Sequence, residues 1–335
     1  MVTTINAQTS SSLDLKAAVD GTPLFGNSIS TPSSLTPGPL VARGDAYVVL
    51  QGHTLTIPVS AGVLANDDNA SSAVLANSGT GSGDLQFASD GSFTYTSWKG
   101  FSGVDGFVYD ANGSSSAESF VRIYVVPVSA GETTTLNLLG LTAQQQIAST
   151  YAAFFGRGPD ADGFEFWVDQ FQAGLPSQGP GKLFANIASS FGISAEAQAL
   201  YPFLANPFGA TDASIGAFLD SVYNNLFNRT SDAAGLAYWT NQIKQTLEAG
   251  QFVGSVLVSI IGGAQDTAAG KDITTLMGKV AVALEYVQAQ ELHGTQWAGN
   301  SDRIAATQLL DPVTSDPLTV VIGVKNADAL VEAHG

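Results

Sequence analysis

The sequence predicts a multidomain β + α chain, in which a small antiparallel β-sandwich precedes an all-α domain with an internal repeat. From 45 to 128, runs such as TLTIPV, SFTYT and SFVRIYVVPV alternate apolar and polar residues, and turn-forming residues separate them. About seven such runs are typical of a sandwich. From 142 to 311 the apolar residues recur at helical spacing instead. One stretch of this second region occurs twice.

Residues 1–44 form an N-terminal arm or leader that is rich in Ser, Thr and Pro. Three prolines between positions 32 and 39 disfavour regular structure. Two interpretations stay open. The segment is a flexible leader, or it is an extended arm that adds a strand to an exposed sheet edge of a neighbouring subunit. The apolar runs Leu13–Val19 and Pro23–Phe25 would anchor such an arm.

The segment 45–128 carries an ordered string of motifs: GVLAND at Gly62–Asp67, DGSFTYT at Asp90–Thr96 and GFSGVDGFVYD at Gly100–Asp110. This string resembles the bacterial cadherin-like, immunoglobulin-like repeat of large surface adhesins. The resemblance implies a mechanical or spacer module. Trp98 is expected in the core of the sandwich, with stacking on a sugar as the alternative.

Some members of that family bind calcium at acidic loops, so the resemblance also implies a set of candidate ligands. These candidates are Asp45, Asp67, Asp68, Asp105 and Asp110. The family's acidic segment after GVLAND reads DNASSAV here, with fewer aspartates. Because Asp and Asn in such loops commonly only make turns, a purely structural role is the alternative.

A linker at 129–141 leads into the helical domain, 142–311. Thr142 with Gln145 three residues later predicts a capping box at the first helix. Periodicity and the Gly- and Pro-rich loops predict helices at 142–155, 163–173, 181–191, 211–228, 232–249, 251–262 and 272–292.

The repeated stretch runs from Tyr151 to Trp167, YAAFFGRGPDADGFEFW, and returns from Tyr223 to Trp239 as YNNLFNRTSDAAGLAYW. A constant offset of 72 residues relates the two copies. Such self-similarity is the signature of a duplicated structural unit. The matching pairs are Tyr151/Tyr223, Phe155/Phe227, Arg157/Arg229, Asp160/Asp232, Gly163/Gly235 and Trp167/Trp239.

The spacing within each copy predicts a helix, a tight corner and a second helix. The Tyr and the Phe are four residues apart and share a helical face, and Gly156 or Asn228 ends that helix. The Asp caps the next helix, and the aromatic residues clamp the two helices together. The Arg is expected to hold the corner by a charge-assisted bond to this Asp. Asp160 and Asp162, in PDADG, are further candidate calcium ligands, although the loop lacks the ligand spacing of an EF-hand.

This doubled motif resembles a domain of unknown function, number 4214, over about 140 to 310. The family is found in bacterial surface proteins and type I secreted proteins, and its biochemical role is not defined. The resemblance therefore implies a location more than a mechanism.

The C-terminal segment 312–335 changes character again. Pro312 and Pro317 disfavour a continuing helix, and LTVVIGV at Leu318–Val324 predicts a strand. A lone strand needs a partner, which would be the sandwich or another chain. The segment could equally belong to a C-terminal export signal.

Charge limits the classes of partner. The net charge is −17, with only 12 Lys and Arg residues. Nucleic acid and anionic lipid require a basic surface, so both are disfavoured. Divalent cations could still bridge this protein to an acidic polysaccharide.

Localisation is predicted to be extracellular, at a bacterial cell surface. The N-terminus lacks the basic and apolar regions of a cleaved signal, and the longest apolar run, Phe252–Ala264, is too short to span a membrane. These features predict export by a type I-like route and no transmembrane segment. The chain has no cysteine, so disulfides are excluded.

The sequence lacks the motifs of common catalytic centres. The three histidines are scattered, and no metalloprotease, nucleophile-elbow or phosphate-loop motif occurs. We therefore predict a non-enzymatic structural protein that self-assembles into a surface layer, sheath or filament, with calcium as the one cofactor considered. The alternative is a cell-surface adhesin or an exopolysaccharide-binding module. A hydrolase on a spacer is the third hypothesis.

Overall fold

The computed structural model of this chain describes residues 38–77, 79–129, 133–297 and 299–333. The predicted N-terminal arm lies, up to residue 37, outside the described residues. From Pro39 onward the described residues belong to one compact unit.

The first part of this unit is a sandwich of two sheets, as predicted. Its strands are β1 (Asp45–Leu50), β2 (Thr54–Ile57), β3 (Ala73–Leu75), β4 (Gly83–Phe87), β5 (Phe93–Ser97), β6 (Gly103–Ala111) and β7 (Glu118–Val126). One sheet has the order β1-β7-β6-β3 and the other β2-β5-β4. Aromatic side chains fill the space between them: the Phe93 ring contacts Tyr47 at 4.9 Å and Phe107 at 5.4 Å, both edge to face.

One strand pair departs from the antiparallel prediction, because β1 runs parallel to β7. The chain turns at Gly52, whose φ of 79° favours glycine, and passes into the other sheet. Strand β1 therefore cannot form a hairpin with β2, and it pairs with the closing strand instead.

The second part is helical. Its helices are α1 (Ala143–Phe155), α2 (Ala161–Gly174), α3 (Pro180–Gly192), α4 (Ala195–Leu200), α5 (Asp212–Phe227), α6 (Ala233–Glu248), α7 (Gly254–Gly262), α8 (Asp272–His293), α9 (Asn300–Leu310) and α10 (Pro317–Glu332). Each of the seven predicted helices matches one of these, with ends within three residues. The expected capping box forms at Thr142. At the predicted linker, the short strands β8 (Val128–Ser129) and β9 (Thr134–Leu136) form a small sheet with β10 (Gln265–Asp266), which lies between α7 and α8 in the chain.

The predicted C-terminal strand is wrong, because Leu318–Val324 lies inside α10. Pro317 occupies the first helical turn, where its missing N–H costs nothing, and the Asp316 side chain accepts a bond from the Leu318 N–H at 3.0 Å. Burial at helical spacing then outweighs the strand preference of valine. The buried residues are Val320, Val321, Val324, Ala327 and Val331.

Helices α8 and α10 cover one side of the sandwich by packing on β1. The outward side chains of that sheet, including Leu50, Tyr124 and Val126, belong to the same core as the helices. Val321 of α10 joins the core of the sandwich itself. The sandwich and the helical part thus share buried side chains and are not connected by a linker alone.

Candidate functional site

Both carboxylate oxygens of Asp105, a candidate calcium ligand, already accept hydrogen bonds within the sandwich. Its carboxylate accepts bonds from the Gly81 and Ser82 amides, both at 2.9 Å, and from the Tyr95 hydroxyl at 2.8 Å. These bonds fasten the loop that leads into β4. The contacts are those of a structural aspartate.

Asp68 and Asp110 lie apart from Asp105 and differ from each other. The Asp68 carboxylate pairs with Arg43 at 2.7 Å and with Lys325 of α10 at 3.2 Å. Two cations therefore already neutralise it. Asp110 lies on β6, where its Oδ1 is buried without a hydrogen-bond partner.

The two candidates in the helical part sit at the start of α2. The Asp160 carboxylate accepts a bond from the Gly163 amide at 2.8 Å and so caps the helix, as predicted from the sequence. Asp162 is exposed in the first turn. Among the described residues, no group of three or more His, Cys, Asp or Glu side chains is arranged to hold a metal ion.

One polar cluster stands out because its charge is not compensated. Asp45 is fully buried at the start of β1, and neither of its carboxylate oxygens has a hydrogen-bond partner. The Asn66 side-chain oxygen is likewise buried without a partner, while its amide donates to the Gly44 carbonyl at 2.8 Å. Asp67 completes the cluster and accepts bonds from the Arg43 amide at 2.8 Å and the Tyr109 hydroxyl.

The electrostatics of this cluster favour proton or cation binding. Burial raises the pKa of Asp45 well above its usual range, and the nearby Asp67 charge raises it further. The Tyr109 hydroxyl and the Asn66 amide counter this rise, but their hydrogen bonds go to other acceptors. Burial also raises the pKa of Asp67 to about 6, against the opposing hydrogen bonds from Arg43 and Tyr109. Two carboxylates and one amide oxygen are ligands that suit a hard cation such as Ca²⁺.

The repeated motif forms two corners with the same geometry. In the first, Tyr151 and Phe155 lie 5.9 Å apart, and the Arg157 guanidinium stacks 5.2 Å from both rings. Gly156 ends α1 in the left-handed conformation, with φ 63°. In the second, Arg229 stacks 5.1 and 5.6 Å from Tyr223 and Phe227, and Asn228 ends α5 with φ 55°.

The partners of the two arginines differ from the prediction. Arg157 makes a bidentate pair with Glu196, at 2.9 and 2.7 Å, whereas Asp160 lies 3.9 Å away. Arg229 makes the same kind of pair with Asp272, at 3.0 and 2.6 Å. Both carboxylates belong to the first turn of a later helix, α4 or α8, where an acidic residue is favourable. Each corner is therefore tied to a helix that local sequence does not reveal.

The two corners also differ in burial. A third aromatic ring, Trp297, covers Arg157 at 4.5 Å, and the Arg157 side chain is only 5% exposed. The Arg229 side chain is 42% exposed. The tryptophans of the repeat pack beside the corners: Trp239 donates to the Tyr223 hydroxyl at 2.8 Å, and Trp167 contacts Phe191 at 5.2 Å. These contacts are those of a brace between helices.

Glu285 joins the sandwich to the helical part, and sequence analysis missed it. It is buried on α8, where it accepts from Arg122 at 2.7 Å and from the Tyr124 hydroxyl at 3.0 Å. Burial raises its pKa, although Arg122 and Tyr124 oppose that rise. Because Glu285 is more than 160 residues away from both partners, no local pattern could identify the contact.

Comparison with known families agrees with this architecture. The family model of a bacterial Ig domain matches residues 36–126. A domain of unknown function (DUF4214) matches residues 188–253, which include the second copy of the repeated motif. The predicted order of the two domains is thus confirmed, and together they indicate a surface or extracellular protein. No curated protein matches the chain. In the described part of the chain, none of the helices has the length and apolar character needed to cross a membrane.

Proposed function

We propose that this protein is a non-enzymatic structural component of a bacterial surface and self-assembles into a layer, sheath or filament. The observation that carries the proposal is the buried joint between the sandwich and the helices. Arg122 and Tyr124 bind Glu285 there, and Val321 enters the sandwich core. An ordered assembly requires subunits of fixed shape, and a buried polar and apolar joint provides that rigidity.

Exposed sheet edges support a contact between subunits. Among the described strands of the sandwich, β1 and β3 end one sheet, β2 and β4 end the other, and each pairs on one side only. Such edges can accept a strand from another chain. Exchange of the C-terminal segment is no longer a candidate because that segment is α10. The N-terminal arm, which lies outside the described residues up to 37, is the remaining candidate for the exchanged strand.

Calcium is the cofactor that we propose for this subunit. Asp45, Asn66 and Asp67 would hold the ion, and its charge would allow both carboxylates to remain ionised while buried. The cluster adjoins Arg43, where the N-terminal segment enters the sandwich. We expect calcium to stabilise this entry point and hence any arm that leaves from it.

A second candidate function is an adhesin or exopolysaccharide-binding module, and one observation favours it. Trp98 is 53% exposed, so its predicted place in the core is wrong. An exposed indole is a suitable surface for a sugar ring. With a net charge of −17, an acidic cell-surface polysaccharide would need divalent cations as a bridge. Export by a type I-like route is a further part of the proposal.

Negative-stain electron microscopy of the purified full chain, in calcium and in EGTA, tests the assembly proposal. We expect ordered sheets or filaments in calcium and their loss in EGTA. A variant lacking residues 1–37 should remain monomeric, and the internal control Phe208→Ala should assemble like the wild type. Monodisperse particles in both conditions would refute self-assembly, and unchanged assembly of the truncated variant would refute the arm model.

A further inference from the structure

The outer face of the sheet β2-β5-β4 is polar and accessible. Helices α8 and α10 pack on β1 of the other sheet, so the two sheets have different outer environments. Side chains alternate along each strand, and those on the inner face of β2 and β5 are buried. The outward residues carry hydroxyl, amide and carboxylate groups and end in an indole: Thr54, Thr56, Asp84, Gln86, Thr96 and Trp98.

Trp98 is held in a fixed orientation on this face. Its backbone amide donates to the Ser82 carbonyl at 2.8 Å, which extends the β4–β5 ladder by one residue. Its indole N–H donates to the Asp84 carboxylate at 3.3 Å. More than half of the side chain is nevertheless exposed. A fixed aromatic ring loses little conformational entropy when a ligand covers it, so the exposed ring suits binding.

The groups beside the indole can act as donors and acceptors. Thr96 lies between Thr54 and Asp84 in the register of the three strands. The Thr54 and Thr96 hydroxyls are hydrogen-bonded at 2.9 Å, and each keeps capacity for a further bond. A pyranose ring has an apolar C–H face and a rim of hydroxyls, so it matches an indole with polar groups at its edge.

Charge selects among the polysaccharides that could bind. The Asp84 carboxylate lies at the indole, and the chain carries a net charge of −17. A uronate-rich or phosphorylated polymer would be repelled at this face. A neutral polymer meets no such repulsion.

We propose that this face, centred on Trp98 and Asp84, binds a neutral hexose polysaccharide by stacking a sugar ring on the indole. The inference rests on the second candidate function and names its site and its class of ligand. Thr96 and Thr54 hydrogen-bond the hydroxyls of the neighbouring sugar unit.

Affinity electrophoresis of the full chain through gels containing dextran, laminarin or mannan tests the inference. A polymer that retards the chain is then added stepwise in solution while tryptophan fluorescence is recorded. Polygalacturonate with and without calcium provides the acidic comparison. We expect Trp98→Ala to weaken binding by roughly 30-fold or more, the usual effect of removing a central aromatic contact. Thr96→Val should weaken binding several-fold while leaving the indole in place.

The matched control is Phe208→Ala, which removes an aromatic ring that is 99% exposed elsewhere on the surface and should leave binding unchanged. Melting temperatures equal to that of the wild type establish that all variants are folded. If a neutral polymer binds the wild type and Trp98→Ala equally, the assigned site is overturned while polysaccharide binding stands. If only polygalacturonate with calcium binds, the neutral class is overturned and the second candidate function stands. If no polymer binds, both fall, and the assembly proposal is judged separately by microscopy.

Discussion

The two arginine corners allow one interaction to be measured at two depths of burial. We expect Arg157→Met to destabilise the protein much more than Arg229→Met, although each change removes one bidentate arginine–carboxylate pair. Methionine keeps most of the apolar stem, so both variants isolate the loss of the guanidinium.

The expected magnitudes follow from burial. Arg157 is nearly inaccessible and is covered by Trp297, so its loss leaves the Glu196 carboxylate without its cation and removes a desolvated stacking contact. Breaking such a buried pair costs about 3 kcal/mol. Arg229 is well exposed, and pairs of that kind contribute about 1 kcal/mol or less.

Differential scanning calorimetry at pH 7.5 measures the difference. At about 1.4 °C per kcal/mol for a chain of 335 residues, Arg157→Met should lower the melting temperature by roughly 4 °C and Arg229→Met by roughly 1.5 °C or less. A double-mutant cycle with Glu196→Gln then separates the ion pair from the stacking. Equal losses at the two positions would show that burial does not govern the strength of the corner, and the reasoning would fail.

Three further predictions concern individual side chains. Gly163→Ala should lower the melting temperature because the new Cβ would lie 2.5 Å from the Asp160 carboxylate, whereas Gly235→Ala, where the closest atom is 3.5 Å away, should be neutral or stabilising by up to about 1 kcal/mol. Burial lowers the pKa of Lys279 to about 8, so the free energy of unfolding of the wild type relative to Lys279→Met should rise by up to about 3 kcal/mol between pH 8 and 10.5. Urea titrations at several pH values measure this difference, and a difference that does not change with pH would contradict the prediction. The pKa of Asp67 is raised to about 6, so in EGTA the free energy of unfolding of the wild type relative to Asp67→Asn should fall by about 2 kcal/mol as the pH rises from 4 to 6. Added calcium should reverse this loss of stability, and a stability difference that changes with neither pH nor calcium would refute the proposed role of Asp67.

Features that depend on neighbouring residues could be predicted from the sequence. The alternation of Phe93, Tyr95 and Ser97 gives the buried face of β5, and the helical spacing gives the seven matched helices. The left-handed ends at Gly156 and Asn228 and the cap at Asp160 are also local, because each involves residues within one turn.

Features that depend on distant packing could not be predicted. Valine-rich Leu318–Val324 has a strand preference, but α8 offers it a buried helical site. Trp98 is a large apolar residue of the kind expected in a core, yet its side chain continues the outward-facing positions of β5 and is exposed. The carboxylates that hold the arginines lie 39 and 43 residues further along, so local sequence suggested the nearer aspartate of the corner instead.

The unequal burial of the two corners follows from where each copy lies in the fold. At the first corner, the Gln290 side chain donates to the Pro159 carbonyl at 3.1 Å, and the Gly158 amide donates to Ala306 of α9 at 3.2 Å. Helices α8 and α9 thus enclose this corner, and Trp297, between them, completes its covering. At the second corner, Arg229 pairs with Asp272 at the start of α8 and Asn228 donates to the Val313 carbonyl at 2.7 Å, but the Arg229 side chain stays exposed. The two copies therefore form the same kind of brace, and the packing of α8 and α9 around the first makes that corner part of the core.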